Sequence, residues 1–223
     1  MSTLVLGIDE AGRGPALGPL VMAAVALEPS AARRLTRAGV CDSKRFGAGA
    51  KAHEARTALV ALIETVASFV GYEICDVEVV DAYVSRGALN ELERERARAL
   101  VLRAPAARRI VADGARMFGP LREEFAQLEA CDQGESVHAA VAAASLCAKV
   151  RRDDLFACIA GRYAGAFGPL RGGGYVNAGT QAFSRAYLET YGALPPEARA
   201  SWPWPGAPKL LRVPPTPCET GDP

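Results

Sequence analysis

Four acidic residues stand where apolar runs end. Asp9 and Glu10 follow Leu4–Ile8 (LVLGI), Asp113 follows Arg109–Ala112 (RIVA), and Asp132 precedes a run of small residues that starts near Ser136. Adjacent side chains of a regular strand point to opposite faces. Asp9 and Glu10 therefore converge only if the strand ends or bulges at the pair, and Gly12 and Gly14 supply the backbone freedom for such a turn. Singly, each acid reads as an ordinary solvated loop residue; four that meet over one sheet edge read as a group. Clustered carboxylates with no basic partner repel one another in low dielectric and call for cations. Two hard divalent ions roughly 3.5 to 4 Å apart activate a water and stabilise the leaving oxygen of a phosphodiester. The chemistry on offer is phosphodiester hydrolysis with Mg2+ or Mn2+.

Other metal chemistries are disfavoured by composition. The six cysteines form no Cys-x-x-Cys pair, and His53 and His138 are the only histidines, so neither a zinc site nor a disulfide framework is indicated. The cysteines read as free thiols, several of them in the core. Net charge is +1, which gives no overall pull toward an anionic partner. Arginine pairs at 33–34, 108–109 and 151–152 read first as solvated helix faces. No apolar run approaches the roughly 20 residues of a membrane span, and Met1 leads into a short apolar run rather than a basic-then-apolar signal segment. The expectation is a cytoplasmic protein with no membrane partner.

The elements that must position the acids follow from periodicity. Leu4–Ile8 and Leu20–Leu27, separated by a Gly/Pro turn, suggest a hairpin. Helix-period apolar residues run from Gly49 to Val66, Phe69–Cys75 reads as a strand, and Ala88–Leu102 as an amphipathic helix. From Ser136 to Phe156 small residues recur at helical spacing, the pattern of a helix packed closely on a sheet. Gly172–Gly174 breaks the chain, and a last helix spans about Thr180 to Tyr191. Seven of the final 21 residues are proline, too many for a regular element. Strands first, then strands alternating with helices, predict an α/β protein with a mixed sheet covered by helices. We expect one catalytic domain over residues 1–202 and a flexible proline-rich tail over 203–223.

Four segments in order, GIDEAGRGPALGPLVMAAVAL, CDSKRF, ADG and HAAVAAASLCAKVRRDD, resemble the successive motifs of type 2 ribonuclease H (ribonuclease HII), a bacterial and archaeal enzyme that cuts DNA containing ribonucleotides. LPPEARASW is similar to the Pro-x-x-x-Arg-x-Ser-Trp segment that follows the last helix in archaeal-type members, so the resemblance stops only at the tail. It implies the ribonuclease H-like fold, with a mixed five-stranded sheet flanked by helices and a helical C-terminal extension. It also implies that Asp9, Glu10, Asp113 and Asp132 are the catalytic, metal-binding acids, holding two divalent ions during the reaction.

The resemblance further assigns substrate contacts. Gly12, Arg13 and Gly14 match a loop that meets the ribose 2′-hydroxyl and the phosphates at the cut. The chemistry agrees, because glycines allow close main-chain approach, arginine grips phosphate with parallel hydrogen bonds, and the 2′-hydroxyl distinguishes RNA from DNA. Ser43 and Lys44, in Asp42-Ser43-Lys44, match a loop that holds the nucleic-acid backbone, or else cap the helix that follows. Asn90 matches an asparagine of the family. Ser145 and Lys149, four apart on the small-residue helix, share a face; Lys149 is suited to a phosphate or to neutralising a buried acid. Tyr175 matches a tyrosine that stacks on a sugar beside the ribonucleotide junction, or else packs under the Gly run, and Val176-Asn177-Ala178-Gly179 after it departs from the family pattern.

The implied activity is an endonuclease, a ribonuclease H, cutting 5′ to a ribonucleotide embedded in duplex DNA or in an RNA/DNA hybrid and leaving 5′-phosphate and 3′-hydroxyl ends. The chain is expected to act as a monomer. A sliding-clamp partner is compatible with this role and cannot be read from the residues. Two alternatives are a type 3-like hybrid nuclease without single-ribonucleotide preference and a non-catalytic nucleic-acid binder, against which the intact acids argue.

Overall fold

The computed structural model describes residues 3–40, 46–47 and 49–202. Ser43 and Lys44, with the loop around them, and the tail from residue 203 lie outside the described residues. Five strands form one sheet: β1 (Val5–Ala11), β2 (Leu20–Leu27), β3 (Phe69–Cys75), β4 (Arg109–Asp113) and β5 (Leu128–Cys131), in the order β3-β2-β1-β4-β5. β1 and β2 are antiparallel, as are β2 and β3, while β4 and β5 run parallel to β1. This is the mixed five-stranded sheet expected of the ribonuclease H-like fold. β2 is buried along its whole length, which fits a run of eight apolar residues with no polar alternation.

The helices are α1 (Pro29–Arg37), α2 (Ala50–Val66), α3 (Val77–Val84), α4 (Leu89–Arg103), α5 (Ala115–Phe118), α6 (Gly134–Val137), α7 (Ala139–Phe167) and α8 (Ala178–Tyr191), with a 3-10 turn over Gly119–Glu123. Two cores lie on opposite faces of the sheet. One joins Val21, Val25 and Leu27 to Leu35, Ile63 and the alanines of α7; the other joins Leu6, Ile8 and Ala112 to Leu100 and Phe118. A third cluster, built on Leu17, Phe156 and Phe183, ties α7 and α8 together as the C-terminal extension.

The small-residue run becomes α7, and its purpose is close approach. A methyl group at Gly7 of β1 would lie 2.1 Å from the Ala140 carbonyl carbon, so helix and strand backbones are in contact there. Only Gly on the strand facing Ala on the helix permits it, and this contact sets the height of α7 over the strand ends. The helix also continues to Phe167, eleven residues past Phe156, where the small-residue pattern gives way to aromatics that pack on α8. Periodicity did not reveal α1, α3 or β5. α1 buries only Ala31 and Leu35, and β5 has only four residues, too few for either period to show.

Candidate active site

The parallel pairing of β1 with β4 decides where the first acids meet. Ile8 pairs with Ala112, the last pair of the ladder, so Asp9 and Asp113 stand one step further at neighbouring carboxyl ends. Asp113 in turn pairs with Cys131, and just beyond it the chain turns through Gln133, whose φ is +60°. The Gly134 amide then donates to Asp113 at 2.9 Å. The short helix α6 swings Glu135 inward, and oxygens of Asp9, Asp113 and Glu135 all lie within 4.8 Å of one another. Asp9 and Glu135 are buried.

Asp132 is placed differently. It is exposed, and its carboxylate accepts the amide of Ala115 at 2.8 Å, satisfying a donor in the first turn of α5. Among the described residues, the acid that joins Asp9 and Asp113 is Glu135, three positions on. The stretch offers acids at 129, 132 and 135, and spacing does not choose between them; the turn at Gln133 rotates Asp132 out and Glu135 in.

Nor does β1 end or bulge at Glu10. Its register with β2 is unbroken through Ala11, so the pleat sends Glu10 to the face opposite Asp9, toward Glu93 of α4. Glu10 stays close enough to feel its neighbours. Burial first, then the charges of Asp9 and Glu93, hold its carboxyl well above the usual carboxylate range. Among the described residues, Glu10 Oε2 is buried with no hydrogen-bond partner. Burial and a hydrogen bond with Glu135 push Asp113 up to about 7. Acids raised in this way, all with oxygen donors and one orphaned buried oxygen among them, fit a hard divalent cation.

Asp9, Glu10 and Asp113 line a cleft of about 460 Å³ together with Gly12–Gly14, Ser145, Lys149 and Tyr175. The Arg13 guanidinium reaches back to α4, where it donates to Glu93 and, at 2.7 Å, to Asn90 Oδ1. Gly12 has φ +93°, and a methyl there would lie 2.6 Å from the Pro19 carbonyl, so the loop needs glycine at this point. Tyr175 is 54% exposed, with its ring edge 3.2 Å from where a side chain at Gly14 would begin. The unusual residues after it form a helix cap: Asn177 Oδ1 accepts the Thr180 amide at 3.0 Å and its Nδ2 donates to the Tyr175 carbonyl. Ser145 lies in the buried stretch of α7, and Lys149, one turn on, pairs with Asp153.

The family model described as Ribonuclease HII matches residues 6–204. The chain belongs to the ribonuclease HII family. Ribonuclease HII of Pyrobaculum neutrophilum is 39% identical over 209 residues, covering 92% of this chain and 96% of that one. The crystal structure of ribonuclease H2 from Pyrococcus horikoshii superposes with a TM-score of 0.76 at 25% identity, covering 89% of this chain and 93% of that one. The ribonuclease HII in the PCNA:RNase HII complex from Archaeoglobus fulgidus gives 0.75 at 27%, covering 90% and 95%. Ribonuclease HII is a ribonuclease H, a divalent-metal-dependent endoribonuclease, and that enzyme class fits a cleft walled by carboxylates. Among the described residues, no helix is long and apolar enough to cross a membrane.

Proposed function

We propose that this ribonuclease H acts on ribonucleotide-containing duplex DNA and on RNA/DNA hybrids, cutting the phosphodiester 5′ to a ribonucleotide and leaving 5′-phosphate and 3′-hydroxyl ends. The observation that carries the reading is that one cleft is lined by Asp9, Glu10 and Asp113 together with the Gly12–Gly14 loop and Tyr175. A phosphodiester seated against the acids would have its ribose beside main-chain groups able to read the 2′-hydroxyl.

Asp9, Asp113 and Glu135, with Glu10 beside them, would hold the metal, taken here as two Mg2+ or Mn2+ ions. When bound, such ions supply Lewis acidity that activates water and stabilises the leaving oxygen. The chain's own residues do the rest. Glu93 and Asn90 fix Arg13 at the cleft wall. Lys149 places a cation beside the cleft without entering the carboxylate group, and the exposed face of Tyr175 offers a flat surface for a sugar. The Archaeoglobus fulgidus relative was solved with PCNA, so a sliding clamp is a partner of interest for this chain also.

The test is cleavage of three duplexes: DNA with one embedded ribonucleotide, a uniform RNA/DNA hybrid and plain DNA. We expect metal-dependent cutting of the first two, with the incision mapped 5′ to the ribonucleotide. Cutting of the hybrid alone would replace this reading with a type 3-like one, and binding without turnover would make the chain a non-catalytic relative.

A further inference from the structure

The Gly12–Gly14 loop is held from behind by the segment that follows α8. Arg199 has no exposed surface, and each guanidinium nitrogen donates to a main-chain carbonyl: Nε to Gly18 at 3.1 Å, Nη1 to Arg13 at 3.1 Å and Nη2 to Gly12 at 2.6 Å. Trp202 Nε1 donates to the next carbonyl, Gly14, at 2.9 Å, and its ring lies 4.7 Å below the Arg199 guanidinium. Three consecutive carbonyls are thus drawn to one side by two residues of one strap.

The strap is itself anchored. The amides of Ala200 and Ser201 donate to Asp81 of α3 at 2.8 and 3.1 Å, the Arg199 amide donates to the Ala16 carbonyl, and the Gly18 amide to that of Glu197. The geometry of a trans peptide gives this a consequence. Each carbonyl and the following N–H point in opposite directions, and the loop has no cis bonds. Turning the Gly12 and Arg13 carbonyls into the strap turns the Arg13 and Gly14 amides away from it. Gly14 is followed by Pro15, which has no N–H, so the Trp202 bond fixes the end of the loop without orienting another donor.

We propose that Arg199 and Trp202 are positioning residues for ribose recognition: they lock the peptide planes of Gly12–Gly14 so that the Arg13 and Gly14 amides stand as a preset pair of donors for the ribonucleotide. The inference rests on the reading of this loop given above. A buried guanidinium bonded to three carbonyls supports it physically, because the planar fork reaches acceptors that a single ammonium cannot span. The hydrogen bonds of Arg199 and Trp202 to the loop end on main-chain carbonyls, so Mn2+ affinity serves as a separate readout of the carboxylates.

The experiment compares full-length wild type, Arg199→Lys and Trp202→Phe. Three quantities are measured: kcat and KM on duplex DNA with one ribonucleotide, the inhibition constant of the same duplex in all-DNA form, and Mn2+ affinity by calorimetry. Arg199→Lys should lose about 10- to 100-fold in kcat/KM, the cost of a misplaced recognition loop, with the all-DNA inhibition constant and Mn2+ affinity within about twofold of wild type. Trp202→Phe keeps an aromatic ring and removes one hydrogen bond, so a loss of roughly 2- to 10-fold in the same direction is expected; it also serves as the test should Arg199→Lys fail to fold. Folded variants with unchanged kcat/KM, or with the all-DNA constant weakened in parallel, would overturn the proposal. If wild type itself handles ribonucleotide and all-DNA duplexes with equal affinity and cuts neither selectively, the reading of the loop fails instead, whatever the variants do.

Discussion

The two walls of the cleft are built on different principles. The carboxylate wall is set by the sheet: Asp9 and Asp113 sit side by side because β1 and β4 share a parallel register, and the sheet itself holds them there. Its energetic difficulty is burial of carboxyls beside one another, visible in Glu10 and Asp113, both raised first by burial and then by their neighbours. The loop wall, Gly12–Gly14, has little regular structure, and its shape comes from contacts far along the chain, with Arg199 joined to Gly12 across 187 positions. A strand end holds charge in place; a loop must be held.

Removing acids tests that contrast most severely. Asp9→Asn, Asp113→Asn and Glu135→Gln should each lower kcat by several orders of magnitude, since each deletes a charge from the group expected to hold metal. Asp132→Asn keeps an oxygen for the Ala115 amide and should stay within a few-fold of wild type. Single-turnover rates with fold checked by circular dichroism decide this; a severe Asp132→Asn defect beside a mild Glu135→Gln one would return Asp132 to the site.

A smaller effect is expected on the loop wall. Tyr175→Ala should lose about 1 to 3 kcal/mol, roughly 5- to 150-fold, borrowing the range for bases stacked on aromatics, while Tyr175→Phe keeps most activity because the ring face survives. The loss should be greater on a duplex with one ribonucleotide than on a uniform hybrid, in which every sugar across the cut is ribose. Equal losses on both would make Tyr175 a support for the glycine-rich loop.

The smallest effect is on stability without metal. A carboxyl whose folded value is raised binds protons more readily in the native state, so stability falls as pH rises. For Asp113 the fall starts near its unfolded value of about 4 and is complete once pH passes about 7. Thermal midpoints of metal-free protein should therefore drop between pH 5 and pH 8, Mg2+ should restore them at pH 8 but not at pH 5, and Asp113→Asn should flatten the slope. A midpoint that rises over this range would show that burying the charged Asp113 carboxylate is not what limits the apo fold.

The residue pattern by itself determined a good deal. Apolar runs ending in acids located Asp9, Glu10 and Asp113, the small-residue run announced a helix packed tightly on the sheet, and the ordered motifs pointed to the family. These features are legible because they depend on local period and on residues a few positions apart. What only the tertiary structure decided lies elsewhere. A left-handed turn at Gln133 set Glu135 rather than Asp132 beside Asp9 and Asp113, a placement invisible among three acids spaced by three. An unbroken β1 register put Glu10 on the face opposite Asp9, where the acids alone had suggested a bulge. Asn177, which looked like a departure from the family loop, serves as a helix cap. The Arg199 strap was present as a matching segment with no assigned work, because a hydrogen bond to a main-chain carbonyl depends on where the chain returns in space, and side-chain types do not encode that by themselves.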